Sequence, residues 1–287
     1  MNPKRIAAFL TISLIWGSIW LAQQQLPDPS TQLRFTAIVM AVSATALAVI
    51  AASFRLPVPQ KREWTASAIL GITLIALPYL LTTWTATHLA SAIPAVIAAT
   101  TPLLVGFFCD TPWRARNAAI AGLGGVLLVV GGTVSLSWNQ LPWVIILLGS
   151  TCAIAASLVF AKKRLAQCNP VYTAAIELAV AATILGLLNF AKGEQMSSGL
   201  PWTLVPTAAA GNAAASALYF WLLKHVRVDQ LASTVWVQLL ISIAEGIFLL
   251  RPHLDWRTLL GVAIVIGSLL ALARTKSDEE MLTVGVT

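Results

Sequence analysis

Few residues in this chain could do chemistry, and they are scattered. Glu177 and Glu245 stand alone inside long apolar runs, Arg34 opens another such run, and His88 and His225 sit where runs end. Around them lie aromatic side chains with polar edges, Trp16, Trp20, Tyr79, Trp84 and Tyr219, and the neutral polar residues Thr101 and Gln238. A carboxylate in an apolar setting can hold an ammonium group or carry a proton. An arginine can grip a carboxylate through two parallel hydrogen bonds. An imidazole titrates near neutral pH, and an aromatic ring stacks on apolar groups or carries a cation on its face. Catalysis would need a nucleophile beside a base or a cluster of metal ligands. The three histidines and three cysteines show no ligand spacing. The glycine-rich stretch GLGGVLLVVGG is not followed by a P-loop lysine, which argues against a nucleotide site. The chemistry left is recognition and passage of a small molecule, with no cofactor, no metal and no enzymatic role expected.

The elements that position these residues follow from composition. Hydrophobic residues make up 58% and charged residues 10% of the 287 residues, against roughly a quarter charged in soluble domains. So few charges cannot solvate a soluble surface of this size, and the apolar runs have the length a helix needs to cross a bilayer. The chain is expected to be an all-α integral membrane protein. The spans read as 6–22, 33–53, 65–85, 89–108, 117–136, 142–161, 171–191, 201–223, 230–250 and 257–273, ten in all. The third and fourth are separated only by the turn at His88. With the N-terminus in the cytoplasm, four of the 18 Lys and Arg fall outside (Arg34, Lys192, Arg251 and Arg257) and the other fourteen inside. That is the bias expected of cytoplasmic loops, and it explains the net charge of +7 without nucleic acid. Both termini are then cytoplasmic. Cysteines at cytoplasmic run ends are not expected to pair.

A repeat relates the two halves. Trp84 and His88 become Trp221 and His225 after a shift of 137 residues, and Gly125 and Gly131 become Gly261 and Gly267 after 136. The first repeat covers 1–138, the second 139–276, and 277–287 is a short tail. Five is odd, so the second copy enters the bilayer upside down, the inverted arrangement of many secondary transporters with a site at the repeat interface. On this pattern Trp16, Trp20, Tyr79, Trp84, Thr101, Tyr219, Gln238 and Glu245 are candidate substrate contacts around a central cavity. His88, His225, Glu177 and Arg34 are candidates for gating or coupling. Structural alternatives stand beside these. Glu245 could pair with Arg251, Glu177 with Lys163 or Arg164, Arg34 with headgroups, and the histidines could be interfacial. Trp64, Trp113, Trp138, Trp143, Trp202 and Trp256 fall at span ends, as in an interfacial belt.

Several stretches resemble the drug/metabolite transporter superfamily in its EamA-type branch: LIWGSIW in the first helix, PDPSTQLRF into the second, AVIAATTPLL in the fourth and GLGGVLLVVGG in the fifth. The regions ending the fourth and ninth helices, FFCDTP and LLRPHL, depart from that pattern. The resemblance implies export of amino acids, aromatic and other bulky or apolar ones, across a bacterial inner membrane by a monomer or homodimer; uptake, or export of other small metabolites or drugs, is the alternative, and a channel or membrane enzyme is disfavoured. Its partners would be the substrate and the bilayer.

Overall fold

The computed structural model describes residues 2–85, 88–89, 92–109, 111–130, 138–191, 200–250 and 256–274. Gly131, Gly132, Lys192, Arg251 and Lys276, used in the sequence reading, lie outside them, as does the 277–287 tail.

The first three helices begin where the sequence supplies a cap. Asn2 accepts from the Lys4 amide (2.8 Å) ahead of Pro3 and starts α1, Pro3–Gln24. Asp28 does the same for α2, Pro29–Ser53, taking the Thr31 amide (2.8 Å) and hydroxyl (2.7 Å). The bonds from Thr31, side chain first, hold the Asp28 carboxyl below its usual range. Glu63 takes the Gln60 amide (2.7 Å) in a capping box at the start of α3, Lys61–Thr85. A π-helical turn, Gly71–Ala76, interrupts α3 where another helix presses closest. A Cβ on Gly71 would lie 2.6 Å from the Glu177 carbonyl oxygen.

The chain ends α3 at Thr85, whose carbonyl accepts from His88 and Leu89, and resumes as α4 in two pieces, Ala92–Ala98 and Thr101–Phe108. The third and fourth spans are therefore separate helices. There follow α5 (Trp113–Val130), α6 (Leu141–Leu165), α7 (Pro170–Ala191), α8 (Val205–His225), α9 in two pieces (Val228–Ala232 and Thr234–Leu250) and α10 (Trp256–Arg274). Helices α1, α2, α3, α6 and α7 are each long and apolar enough to cross a membrane, and Ile93–Phe108 and Trp256–Leu272 are shorter apolar helices. Their outer faces are apolar. Ile6, Leu10 and Leu14 form an exposed stripe at four-residue spacing on α1, and Leu187 and Phe190 are exposed on α7. In water that surface would be costly; in lipid it is the expected solvent-facing side. Trp64, Trp113, Trp138, Trp202 and Trp256 are exposed at helix ends, as interfacial anchors are.

Packing follows the repeat. If α1–α5 map onto α6–α10, then α2 packs on its own counterpart α7, and α5 on α10. The contact of α1 with α9 recurs between α4 and α6, that of α1 with α8 between α3 and α6, and that of α2 with α8 between α3 and α7. Gly125 and Gly261, the pair matched in sequence, lie against each other: a Cβ on Gly261 would sit 2.5 Å from the Gly125 carbonyl oxygen.

The sequence register slips at the helix breaks. Thr100 and Thr101 hydroxyls donate to the carbonyls three residues back, Ile97 and Ala98 (2.6 Å each). Ser233 and Thr234 do the same to Gln230 (2.6 Å) and Leu231 (2.8 Å). Thr101 thus corresponds to Thr234, not to Gln238 as the 137 shift implies. The cause is a longer connection between Thr85 and Ala92 than between His225 and Val228. The tryptophan that follows the second break, Trp236, is fully buried and donates to the Ala99 carbonyl at the first (2.8 Å), over Gly122.

Two further contacts close the ends. The Lys162 ammonium donates to the carbonyls of Leu223 (2.6 Å) and Val226 (3.0 Å), sealing the C-terminus of α8. Lys162→Met is expected to cost about 1–2 kcal/mol, read as a lower thermal midpoint in detergent. An unchanged midpoint would mean those carbonyls find other donors. The α6–α7 connection places the Cys168 thiol on Glu63 (3.2 Å). Burial, with the Glu63 contact, pushes the thiol up to about 11, so it stays a protonated donor.

Candidate functional site

Helix α1 divides the candidate residues between its faces. On one face stand Trp16 and Gln23, seven residues apart, and on the neighbouring α2 stand Thr36 and Ser43, also seven apart. Two turns on each helix place these at two levels about 10 Å apart.

At the first level the Trp16 indole N–H donates to Asn212 Oδ1 (3.1 Å) on α8. Asn212 Nδ2 donates to Ser43 Oγ (3.2 Å), and the Ser43 hydroxyl lies 2.7 Å from the Val39 carbonyl and 2.9 Å from that of Ala209. The Trp16 ring also packs on Tyr219 with centroids 5.2 Å apart, tilted 49°. Glu177 lies on α7, which packs against both α2 and α8. Glu177 is 3% exposed and Ser43 fully buried, while Asn212 and Tyr219 are under 10% exposed. No ion pair reaches Glu177 among the described residues; Lys163 and Arg164, its expected partners, are exposed. At the second level Gln23 Nε2 donates to Thr36 Oγ1 (2.9 Å), and Tyr79 on α3 packs against the same core as Trp16.

Helices α1, α2 and α8 thus bring indole, phenol, amide and hydroxyl groups together, with the buried Glu177 side chain on the adjoining α7. Chemically, the set can stack an aromatic or bulky apolar group, donate and accept hydrogen bonds, and hold one cation. A buried polar network is maintained only when its members find partners.

The other face of α1 meets α9. Gly17 allows this approach: a Cβ there would lie 3.0 Å from the Gln238 carbonyl oxygen. Ser18 Oγ donates to Glu245 Oε1 (2.5 Å), and Trp20 packs near Trp236 and Leu239. Glu245 therefore has a partner within the bundle, on α1. Thr101 is buried with its hydroxyl committed to the break in α4.

The remaining candidates lie apart. Trp84 is 55% exposed and meets Trp143 edge-on at 5.4 Å, while His88 stacks on the same ring at 3.7 Å. His225 is exposed and holds to its own helix, with Nδ1 2.7 Å from the Trp221 carbonyl. The doubled Trp and His occupy corresponding places but make different contacts. Arg34 is buried, and its guanidinium donates to Thr31 (2.7 Å) beside the Asp28 cap.

Sequence reasoning overlooked Ser43, Asn212, Gln23 and Thr36. The signal for Asn212 was present in GNAAASALYF. Asn212, Ser216 and Tyr219 recur at four and three residues, a polar stripe on an otherwise alanine-rich helix.

A solved crystal structure superposes on this chain with a TM-score of 0.76, covering 96% of this chain and 99% of the other at 17% identity. At that identity the likeness is one of fold. No curated protein sequence matches the chain significantly. The model of the EamA-like transporter family matches twice, over residues 4–138 and 141–274, dividing the chain close to where the repeat divides it. With both halves matched, the helices packed as two related sets of five and a polar site enclosed between them, the chain belongs to the EamA-like transporter family, multi-pass membrane transporters of small metabolites.

Proposed function

We propose that this protein exports amino acids, preferentially aromatic and other bulky apolar ones, across a bacterial inner membrane by alternating access. Both termini lie in the cytoplasm, and residues 1–138 and 139–276 act as the two repeats. The observation that carries this reading is the buried set of Trp16, Asn212, Ser43, Tyr219 and Glu177. An amino acid presents three things to recognise: an ammonium, a carboxylate and a side chain. Glu177 supplies the counter-charge for the first, the Asn212 N–H not given to Ser43 serves the second, and the Trp16 and Tyr219 rings the third. Burial excludes water, which strengthens each of these contacts. Gln23, Thr36 and Tyr79 extend the path by one level along α1 and α2. Glu245 and Gln238 belong to the α1–α9 contact, whose sliding would accompany opening. Arg34, His88 and His225 stand at the helix ends, where gating contacts form and break.

The test is counterflow in proteoliposomes with a panel of labelled amino acids, with and without a pH gradient. Exchange stimulated by internal phenylalanine or tryptophan is expected, and a response to the gradient would indicate proton coupling. A channel would pass substrate without exchange stimulation, and a membrane enzyme would give no flux. Trp16→Ala is expected to reduce exchange at least tenfold for aromatic substrates, since a stacked pair and an indole hydrogen bond are lost together, roughly 1.5–3 kcal/mol. Equal rates for wild type and Trp16→Ala would remove Trp16 from the site.

A further inference from the structure

Away from the transport site, a groove of about 270 Å³ opens between α3 and α6. One wall is a single face of α3: Arg62, Thr65, Ala66 and Ile69 recur at three, one and three residues. The other wall is Phe160 and Arg164, one turn apart on α6. Arg62 lies at the start of α3 and Arg164 at the end of α6, so the two arginines belong to one end of the groove, while Ile69, Ala66 and Phe160 line it further along. Charge thus belongs to one end of the groove and apolar lining to the rest.

The two arginines are available. Among the described residues neither guanidinium has a hydrogen-bond or ion-pair partner. The nearest acid in sequence, Glu63, is committed to the Gln60 amide and the Cys168 thiol. Among the described residues, no acidic one lines the groove.

We infer that this groove binds an anionic phospholipid of the adjoining leaflet, with its phosphate between Arg62 and Arg164 and the start of an acyl chain along Ala66, Ile69 and Phe160. Paired guanidiniums match phosphate oxygens in geometry as well as charge, and basic pockets between membrane helices on the cytoplasmic side take such headgroups. The face follows from the topology under Proposed function, but the lipid site itself does not depend on what is transported.

Native mass spectrometry of the full chain, released from detergent with phosphatidylglycerol or phosphatidylcholine added, tests this. Phosphatidylglycerol is expected to be retained preferentially. Arg62→Gln and Arg164→Gln should each lower its retention roughly fivefold, the change expected from one basic residue near an anionic headgroup. Arg55→Gln, an exposed arginine outside the groove, should leave it unchanged. Ile69→Ser should weaken phosphatidylglycerol but not inorganic phosphate. Equal retention of the two lipids would overturn the inference, as would unchanged retention in the double arginine variant. Complete displacement by millimolar inorganic phosphate would also overturn it, assigning the arginines to a free anion. Counterflow in the double variant separates this result from the transport reading, because neither arginine is part of the transport site.

Discussion

Glu177→Gln is expected to reduce amino-acid exchange by about tenfold or more while leaving the protein folded. The carboxyl is buried on α7, without an ion pair among the described residues, on a helix packed against the α8 that carries Asn212 and Tyr219. Membrane interiors rarely retain such a group without a use for it. Glutamine keeps the shape and the hydrogen-bonding oxygen but can neither balance an ammonium nor take up a proton. A hydrogen bond to a charged group contributes about 1.5–3 kcal/mol, which at 1.4 kcal/mol per decade is roughly 10- to 150-fold. The two roles separate in one pair of assays. If Glu177 binds the substrate amine, counterflow and gradient-driven flux fall together. If it carries the coupling proton, gradient-driven flux is lost and counterflow persists. Wild-type rates in both would exclude Glu177 from transport.

Gly261→Val is expected to have the largest effect on stability. Any Cβ there would lie 2.5 Å from the Gly125 carbonyl oxygen and 2.6 Å from Val129, so the obstruction is largely backbone and cannot swing aside. Forcing α5 and α10 apart would expose the contact that joins the two repeats through corresponding residues. Overpacking of this kind costs about 1–3 kcal/mol and sometimes more, read as a drop in thermal midpoint and loss of the monodisperse peak in detergent. A Cβ added at Gly124 or Gly267 would meet nothing within 4 Å, so their alanine variants should be silent. A stable Gly261→Val, or equal losses at Gly267→Ala, would show that close helix approach is not what these glycines provide.

Much of the fold was legible because lipid imposes a simple rule: a backbone with no water to bond must satisfy itself, helix by helix. Charge-poor runs therefore marked the ten helices, and Trp64, Trp113 and Trp256 their ends. The glycines matched at Gly125 and Gly261 meet each other in the structure, a contact that the shift alone did not specify. The counterpart of Thr101 was misplaced, because a four-residue difference in one connection is invisible to a constant shift. Thr234 is identified only by its bond to the carbonyl three residues back. The site was half legible. Trp16, Tyr219 and Glu177 stand out as polar groups in apolar helices; the structure packs the first two together and buries the third on the adjoining helix. Asn212 and Ser43 did not stand out, because small polar residues are common in membrane helices. Trp84 stood out by its repeated spacing with His88, yet the structure sets it on Trp143 at the edge of the bundle.

The central claim is that substrate binds among Trp16, Asn212, Tyr219 and Glu177 rather than between α1 and α9. Alkylation of Asn212→Cys and, separately, Gln238→Cys by a membrane-permeant maleimide, each in a background without the three native cysteines, distinguishes these places. Saturating phenylalanine is predicted to slow modification at position 212 at least fivefold, the occupancy effect expected when free ligand exceeds its dissociation constant about fourfold, and to leave position 238 unchanged. Protection at 238 with none at 212 would contradict the account.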